Sequence, residues 1–198
     1  MSISGLVRSG VVLRIVAIGF VFACLVLMSG CEEKSLYGLD EGLGTDPDIV
    51  FDARLVGTWP DVGEKCTSTG TITAHEKVYS LQFVDCATNK KTSYEAHLFK
   101  LDQHYFLDMT APSEDVCELC LNIHLISLVQ FEKDAFQLAP LDSDWFSKAM
   151  HEKRVKLTTL PDDPSTITAQ PKELKAFCRK HADNKEAFKP DPAQVFKR

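Results

Sequence analysis

Val78-Tyr-Ser-Leu-Gln-Phe-Val-Asp-Cys86 alternates apolar and polar side chains, with Tyr79, Leu81 and Phe83 on one face. A period of two is the mark of a strand with one buried side. The pattern continues through Ser93 to Leu101, Tyr105 to Thr110, Leu121 to Phe131 and Ala135 to Leu141, and it is preceded by Leu55-Val-Gly-Thr-Trp59 and Thr67 to Ala74. The spacers are short and polar: His75-Glu-Lys77, Ala87 to Thr92, Asp102-Gln-His104 and Glu132-Lys-Asp134. Strands about ten residues apart with turn-like spacers imply antiparallel hairpins, because a parallel crossover needs a much longer connection.

Two helices follow the strands. Asp142-Ser-Asp-Trp-Phe-Ser-Lys-Ala-Met-His151 opens on a capping residue and carries an apolar stripe of Trp145, Phe146, Ala149 and Met150, suited to plugging an open end or edge of the sheet. Arg154 to Leu160 reads as a last strand before Pro161 and Pro164. Pro171 then opens a second helix with Leu174, Phe177, Cys178 and His181 on one face. The expected fold is therefore mainly β, a β-rich α+β domain. It is an antiparallel meander of seven or eight strands in a curled sheet or barrel, with two short helices near the C-terminus. Closure would remove the exposed sheet edges.

Composition narrows the function classes. The chain has 198 residues, 25% charged and 44% hydrophobic, with 22 basic against 28 acidic side chains. Arg8 and Arg14 are the charged residues of the first thirty, so residues 31–198 hold 20 basic and 28 acidic groups, a net charge of −8. That length fits one domain with a real core. The acidic balance argues against nucleic acid as a partner, since phosphates demand clustered Lys and Arg.

The N-terminus carries an address. After Arg8 and Arg14 comes the apolar run Ile15 to Leu27, followed by Met28-Ser29-Gly30-Cys31. A positive start, an apolar stretch and small residues at its end make a secretory signal. The run is short for a bilayer span, which needs roughly twenty residues. Leu27-Met28-Ser29-Gly30-Cys31 resembles the lipobox of bacterial prolipoproteins, although Met28 is a less usual choice at its position. The resemblance implies cleavage before Cys31 and acylation of its sulfur and new amino group, giving a partner in the lipid membrane. Two or three acyl chains anchor stably where one does not. By the same family analogy Glu32, in place of an aspartate, points to the outer membrane of the cell envelope, facing the periplasm.

The chain then divides into a signal peptide over 1–30, a lipidated tether over 31–52, a β-rich domain over 53–188 and a polar tail over 189–198. Gly38, Gly42, Gly44 and Pro47 make the tether read as flexible, and the Pro-containing tail reads as frayed. Gly57-Thr58-Trp59 on the first strand, with the meander and late helices, also looks like the lipocalin family. That resemblance implies a barrel closed at the Gly-x-Trp end around a small apolar ligand. Here, however, a helix precedes the expected last strand. Trp59 is equally what a buried strand uses to fill a core.

Seven cysteines occur. Cys24 leaves with the signal and Cys31 takes lipid, so Cys66, Cys86, Cys117, Cys120 and Cys178 remain. An exported chain makes disulfides the default. Cys66 and Cys86 face each other in a hairpin centred on Glu76, which makes them the first expected pair. That register sets Ile72 opposite Ser80, and a one-residue slip would match the apolar side chains better; a bulge could satisfy both demands. Cys117-Glu-Leu-Cys120 admits a redox centre or half of a zinc site. Its acidic neighbours Glu114, Asp115 and Glu118 push a thiol away from reactivity, favouring a structural role. Cys178 bridging to Cys117 or Cys120 would pin the second helix.

His97, Asp108 and His124 fall on neighbouring strands and could meet as a metal or general-base site if their side chains share a face. A hydrogen-bonded polar cluster is the plainer outcome. No Gly-x-Ser-x-Gly elbow, phosphate loop or His-Glu-x-x-His occurs, and the sequence calls for no cofactor. The leading expectation is a membrane-anchored envelope lipoprotein with a non-catalytic binding or structural role toward a protein partner or a small apolar ligand. A periplasmic thiol-redox protein using Cys117 and Cys120 is the alternative, and a metal-dependent enzyme a third.

Overall fold

The computed structural model describes residues 37–39, 42–44, 47–62, 67–112, 123–163, 165–190 and 195–197. The meander runs through β3 (Gly57–Val62), β4 (Thr67–His75), β5 (Val78–Val84), β6 (Lys91–Leu101), β7 (His104–Thr110), β8 (Ile123–Phe131) and β9 (Ala135–Pro140), each antiparallel to the next. β11 (Val195–Lys197) pairs with β9 and lies against β3, so eight strands nearly close into a barrel. The tight turns fall on the polar spacers. Glu76 and Asp102 adopt positive φ of 55° and 57° there, as the twist of two-residue hairpins requires.

Alternation produces two cores. Trp59, Ile72, Tyr79, Leu81, Leu98, Leu107, Val129, Phe136 and Leu138, drawn from all seven meander strands, fill the barrel interior. Trp59 donates its indole N–H to the Leu55 carbonyl at 2.9 Å and meets Phe136 edge-on at 4.9 Å. A Cβ on Gly70 would come within 3.0 Å of Phe83, so this glycine makes room for the ring. The opposite face of β6–β9, with Phe99, Leu101, Phe106 and Leu128, is covered by α1 (Ser143–His151) and α2 (Pro171–His181). Each such side chain contributes on the order of 2 kcal/mol when fully buried. Asp142 caps α1 by accepting from Trp145 N at 2.8 Å, and Pro171 opens α2 as its residue type favours. The helices therefore lie on the outer sheet face.

The β4–β5 register resolves the competition seen in the sequence. Ile72 faces Leu81, not Ser80, because the interior takes both side chains and the other register would turn one of them outward. Cys86 sits just past β5, its backbone N–H donating to Ser68 Oγ at 3.2 Å. Cys66 lies outside the described residues.

Three expectations are corrected. Of the segment read as a flexible tether, described residues are built into the domain: β1 (Tyr37–Leu39) pairs with β8 and β2 (Ile49–Val50) with β6. β1 continues the edge of β8 where β9 departs at Pro140, and β2 continues the edge of β6 beyond its pairing with β5. Edge groups left open by the meander thus find partners in the N-terminal residues. The tail read as frayed supplies β11, where Phe196 stacks on Phe136 at 4.6 Å. Arg154 to Leu160 forms no strand; it meets β10 (Thr166–Ile167), which pairs parallel to β1, only through Leu160, whose N–H donates to the Thr166 carbonyl, and the bridge of Thr159 to Ile167.

Candidate functional site

Of the three residues expected to converge, the fold joins two. Asp108 on β7 and His124 on β8 point to the helix-covered face, and His124 Nδ1 lies 2.8 Å from Asp108 Oδ1. The second oxygen, Oδ2, accepts the backbone N–H of Leu43 at 2.7 Å. His97 stands opposite Asp108 in the β6–β7 register, yet both oxygens of Asp108 are already engaged. Among the described residues no group of three or more His, Cys, Asp or Glu could hold a metal. The trio expected as a metal or general-base site is thus a two-residue polar pair, with His97 outside it.

Gly42 closes the pair from above. Its φ is +47°, and a Cβ there would stand 2.2 Å from His124 Nδ1 and 2.3 Å from Asp108 Oδ2. Leu43, fully buried, follows it into the outer core beside Phe99 and Phe106. Among the described residues the buried Nε2 of His124 has no hydrogen-bond partner. An imidazole held by a carboxylate at one nitrogen and free at the other is a familiar general base. Here the free nitrogen is buried. What the arrangement does is hold chain: a buried carboxylate fixes the Leu43 amide with a charge-assisted bond.

Other links tie the same N-terminal residues down. Asp48 accepts from Lys175 Nζ at 2.7 Å, and its carbonyl accepts from Lys100 N. Asp52 N donates to Tyr79 Oη at 2.6 Å. Arg54 lies 3.8 Å over the Phe131 ring and holds the Asp52 carboxyl below its usual range by hydrogen bonding.

No family model, curated protein or solved structure matches this chain. Its chemistry is therefore read from its own residues.

Cys178 does not bridge to Cys117 or Cys120; it is a free thiol, 1% exposed, on α2. The apolar face of an amphipathic helix takes it inward among Ile126, Leu174 and Phe177. Burial pushes its pKa far up, and the negative charge of Asp108 adds to that. It is therefore inert as a nucleophile. Cys31 and the segment read as a lipobox, Cys66, Cys117 and Cys120 lie outside the described residues. Sequence reasoning missed Gly42 and Leu43 as partners of Asp108. The signal available was the pair of short apolar islands Tyr37-Gly-Leu39 and Ile49-Val-Phe51, too short to register as strands by periodicity.

Proposed function

We propose that this chain is a lipid-anchored protein of the bacterial cell envelope, acylated at Cys31, whose barrel domain serves a non-catalytic binding or structural role. The observation that carries the reading is the docking of residues 42–44 onto Asp108 and His124, eleven residues and more after Cys31. A domain that clamps the segment next to its anchor is suited to being held at a surface. The side chains that seven strands turn into the barrel favour a partner at the outer surface, an envelope component, over a small apolar ligand inside it. We also take Cys86 to pair with Cys66, two residues before the Ser68 that Cys86 already contacts. The outer membrane is the proposed site, on the residue Glu32.

The test is incorporation of labelled palmitate in a bacterial host. Labelling of the wild-type chain, a mature N-terminus at residue 31 and loss of both in Cys31→Ser would support the reading. Labelling that survives Cys31→Ser, or a membrane-free chain that keeps Met1, would overturn it.

A further inference from the structure

Residues 148–181 hold eight basic and four acidic side chains in a chain whose net charge is −6. Lys148, Lys153, Lys156 and Lys172 are exposed there, and no described residue forms an ion pair with any of them. Lys153 and Lys156 line an open groove of about 420 Å³ between the end of α1 and the start of α2. Leu157 and Met150 form its apolar part, Thr158 one edge and Glu173 its acidic wall. Arg154 stands beside it, engaged with Glu152 at 2.6 Å.

The groove lies close to where the chain comes from its anchor. The Thr158 carbonyl accepts from Thr168 N at 2.8 Å, Thr159 bridges Ile167, and Ile167 on β10 pairs with Gly38 on β1. Two strand spacings, roughly 10 Å, therefore separate the groove edge from β1. Cys31 precedes Tyr37 by six residues, which span at most about 20 Å. An acylated Cys31 would keep this edge within reach of the leaflet.

Resting on the proposed anchor, we infer that the Lys153–Lys156 groove seats on that leaflet and binds the phosphates of its anionic lipid headgroups. The occupant follows from charge and place. Four exposed lysines, without an ion pair among the described residues, complement a negative surface on an otherwise acidic domain, and the apolar floor suits the headgroup boundary. Each lysine close to an anionic leaflet strengthens association about fivefold, and the effect fades within a Debye length. The domain would then lie down on its membrane, with the opposite side of the barrel presented to the envelope.

The experiment uses the full chain, reconstituted into vesicles of phosphatidylcholine alone or mixed with phosphatidylglycerol, with amine-reactive labelling read at each lysine. Lys153 and Lys156 should label at least about fivefold more slowly on the mixed vesicles at low salt. High salt should erase the difference, and Lys133, in the β8–β9 turn, should not change. Lys153→Glu with Lys156→Glu should remove the accompanying protection of Lys148 and Lys172 while leaving the melting temperature unaltered. Equal labelling on both vesicles would overturn the proposal. So would equal protection by inorganic phosphate alone, which would make the groove a small-anion site, or protection by polyglutamate and not by vesicles, which would assign it to an acidic protein. Retention on neutral vesicles at high salt reads the anchor separately. A chain that washes off those vesicles yet is protected on anionic ones loses the anchor and keeps the groove; a retained chain without protection does the reverse.

Discussion

Replacing Gly42 by alanine should undock the segment that carries the chain toward Cys31. The added Cβ would lie 2.2 Å from His124 Nδ1, 2.3 Å from Asp108 Oδ2 and 2.7 Å from His124 Cγ. Neither side chain can step aside, since they are bonded to each other and sit 13% and 5% exposed. A φ of +47° adds about 1 kcal/mol for any residue with a Cβ. The cheaper response is for residues 42–44 to lift. That forfeits about 2 kcal/mol of Leu43 burial and about 2 kcal/mol for its bond to a charged acceptor, less what water restores to Asp108. The expected cost is thus about 3 kcal/mol, or on the order of 10 °C in melting temperature for a domain of this size. Denaturation followed by tryptophan fluorescence gives the first number, and amide exchange at Leu43 reports the undocking directly. Gly42→Asn separates the causes, because asparagine tolerates the left-handed region but keeps the Cβ. It should cost nearly as much as alanine. An alanine variant within 1 kcal/mol of wild type with a protected Leu43 amide would refute the packing, and a stable asparagine variant would move the cause to backbone strain.

Asp108→Ala should destabilise by about 3 kcal/mol, because it strands the Leu43 amide and the His124 ring in a buried place; equilibrium unfolding measures it, and a neutral result would mean that the pair is hydrated. Cys178 should resist thiol reagents in the native state and react only at the rate of unfolding, while Cys178→Ser should cost about 2 kcal/mol for a hydroxyl among apolar side chains. Fast native labelling would contradict its burial. Phe196→Ala should loosen β11 and cost about 3 kcal/mol through the lost stack on Phe136, with exchange in β9 as the readout; unchanged exchange would mean that the terminal strand does not hold the barrel closed. His181 packs on Trp145 and Phe177, and burial first, then the charges of Lys180 and Arg154, hold its pKa below the ordinary 6.5. Its contribution is therefore present above that value and lost as pH falls, since the unfolded chain takes up the proton first. The drop in melting temperature between pH 7.5 and 5.5 should shrink in His181→Gln, and an equal drop would clear this residue.

Strand periodicity is a local property, and so the meander, its polar turns and both helices were legible in residues such as Tyr79, Leu81 and Phe83 or Trp145 and Phe146. Short segments behave differently. Tyr37–Leu39, Ile49–Val50 and Val195–Lys197 have two or three residues each and no period to read; they are strands because β8, β6 and β9 leave edges for them. Arg154 to Leu160 has the composition of a strand, and only Thr159 and Leu160 find partners in β10.

The candidate site divides the same way. That Asp108 and His124 sit on adjacent strands follows from chain order and hairpin geometry, so their meeting was foreseeable. Which residues would spend the carboxylate was not. Leu43 lies 65 residues from Asp108 in sequence, and no local pattern encodes a contact between an unpatterned segment and a distant strand. Cys178 shows the limit from the other side: its helix face was readable, but whether a thiol there met a cysteine or a packed core depended on the fold. By itself the sequence determined the class of the domain and the order of its meander strands, because alternation and turn chemistry are local. Only the tertiary structure decided that side chains from seven strands meet inside the barrel, that Tyr37–Leu39, Ile49–Val50 and Val195–Lys197 complete the sheet and that the Asp108–His124 pair is a clasp, because burial and edge pairing belong to the assembled whole.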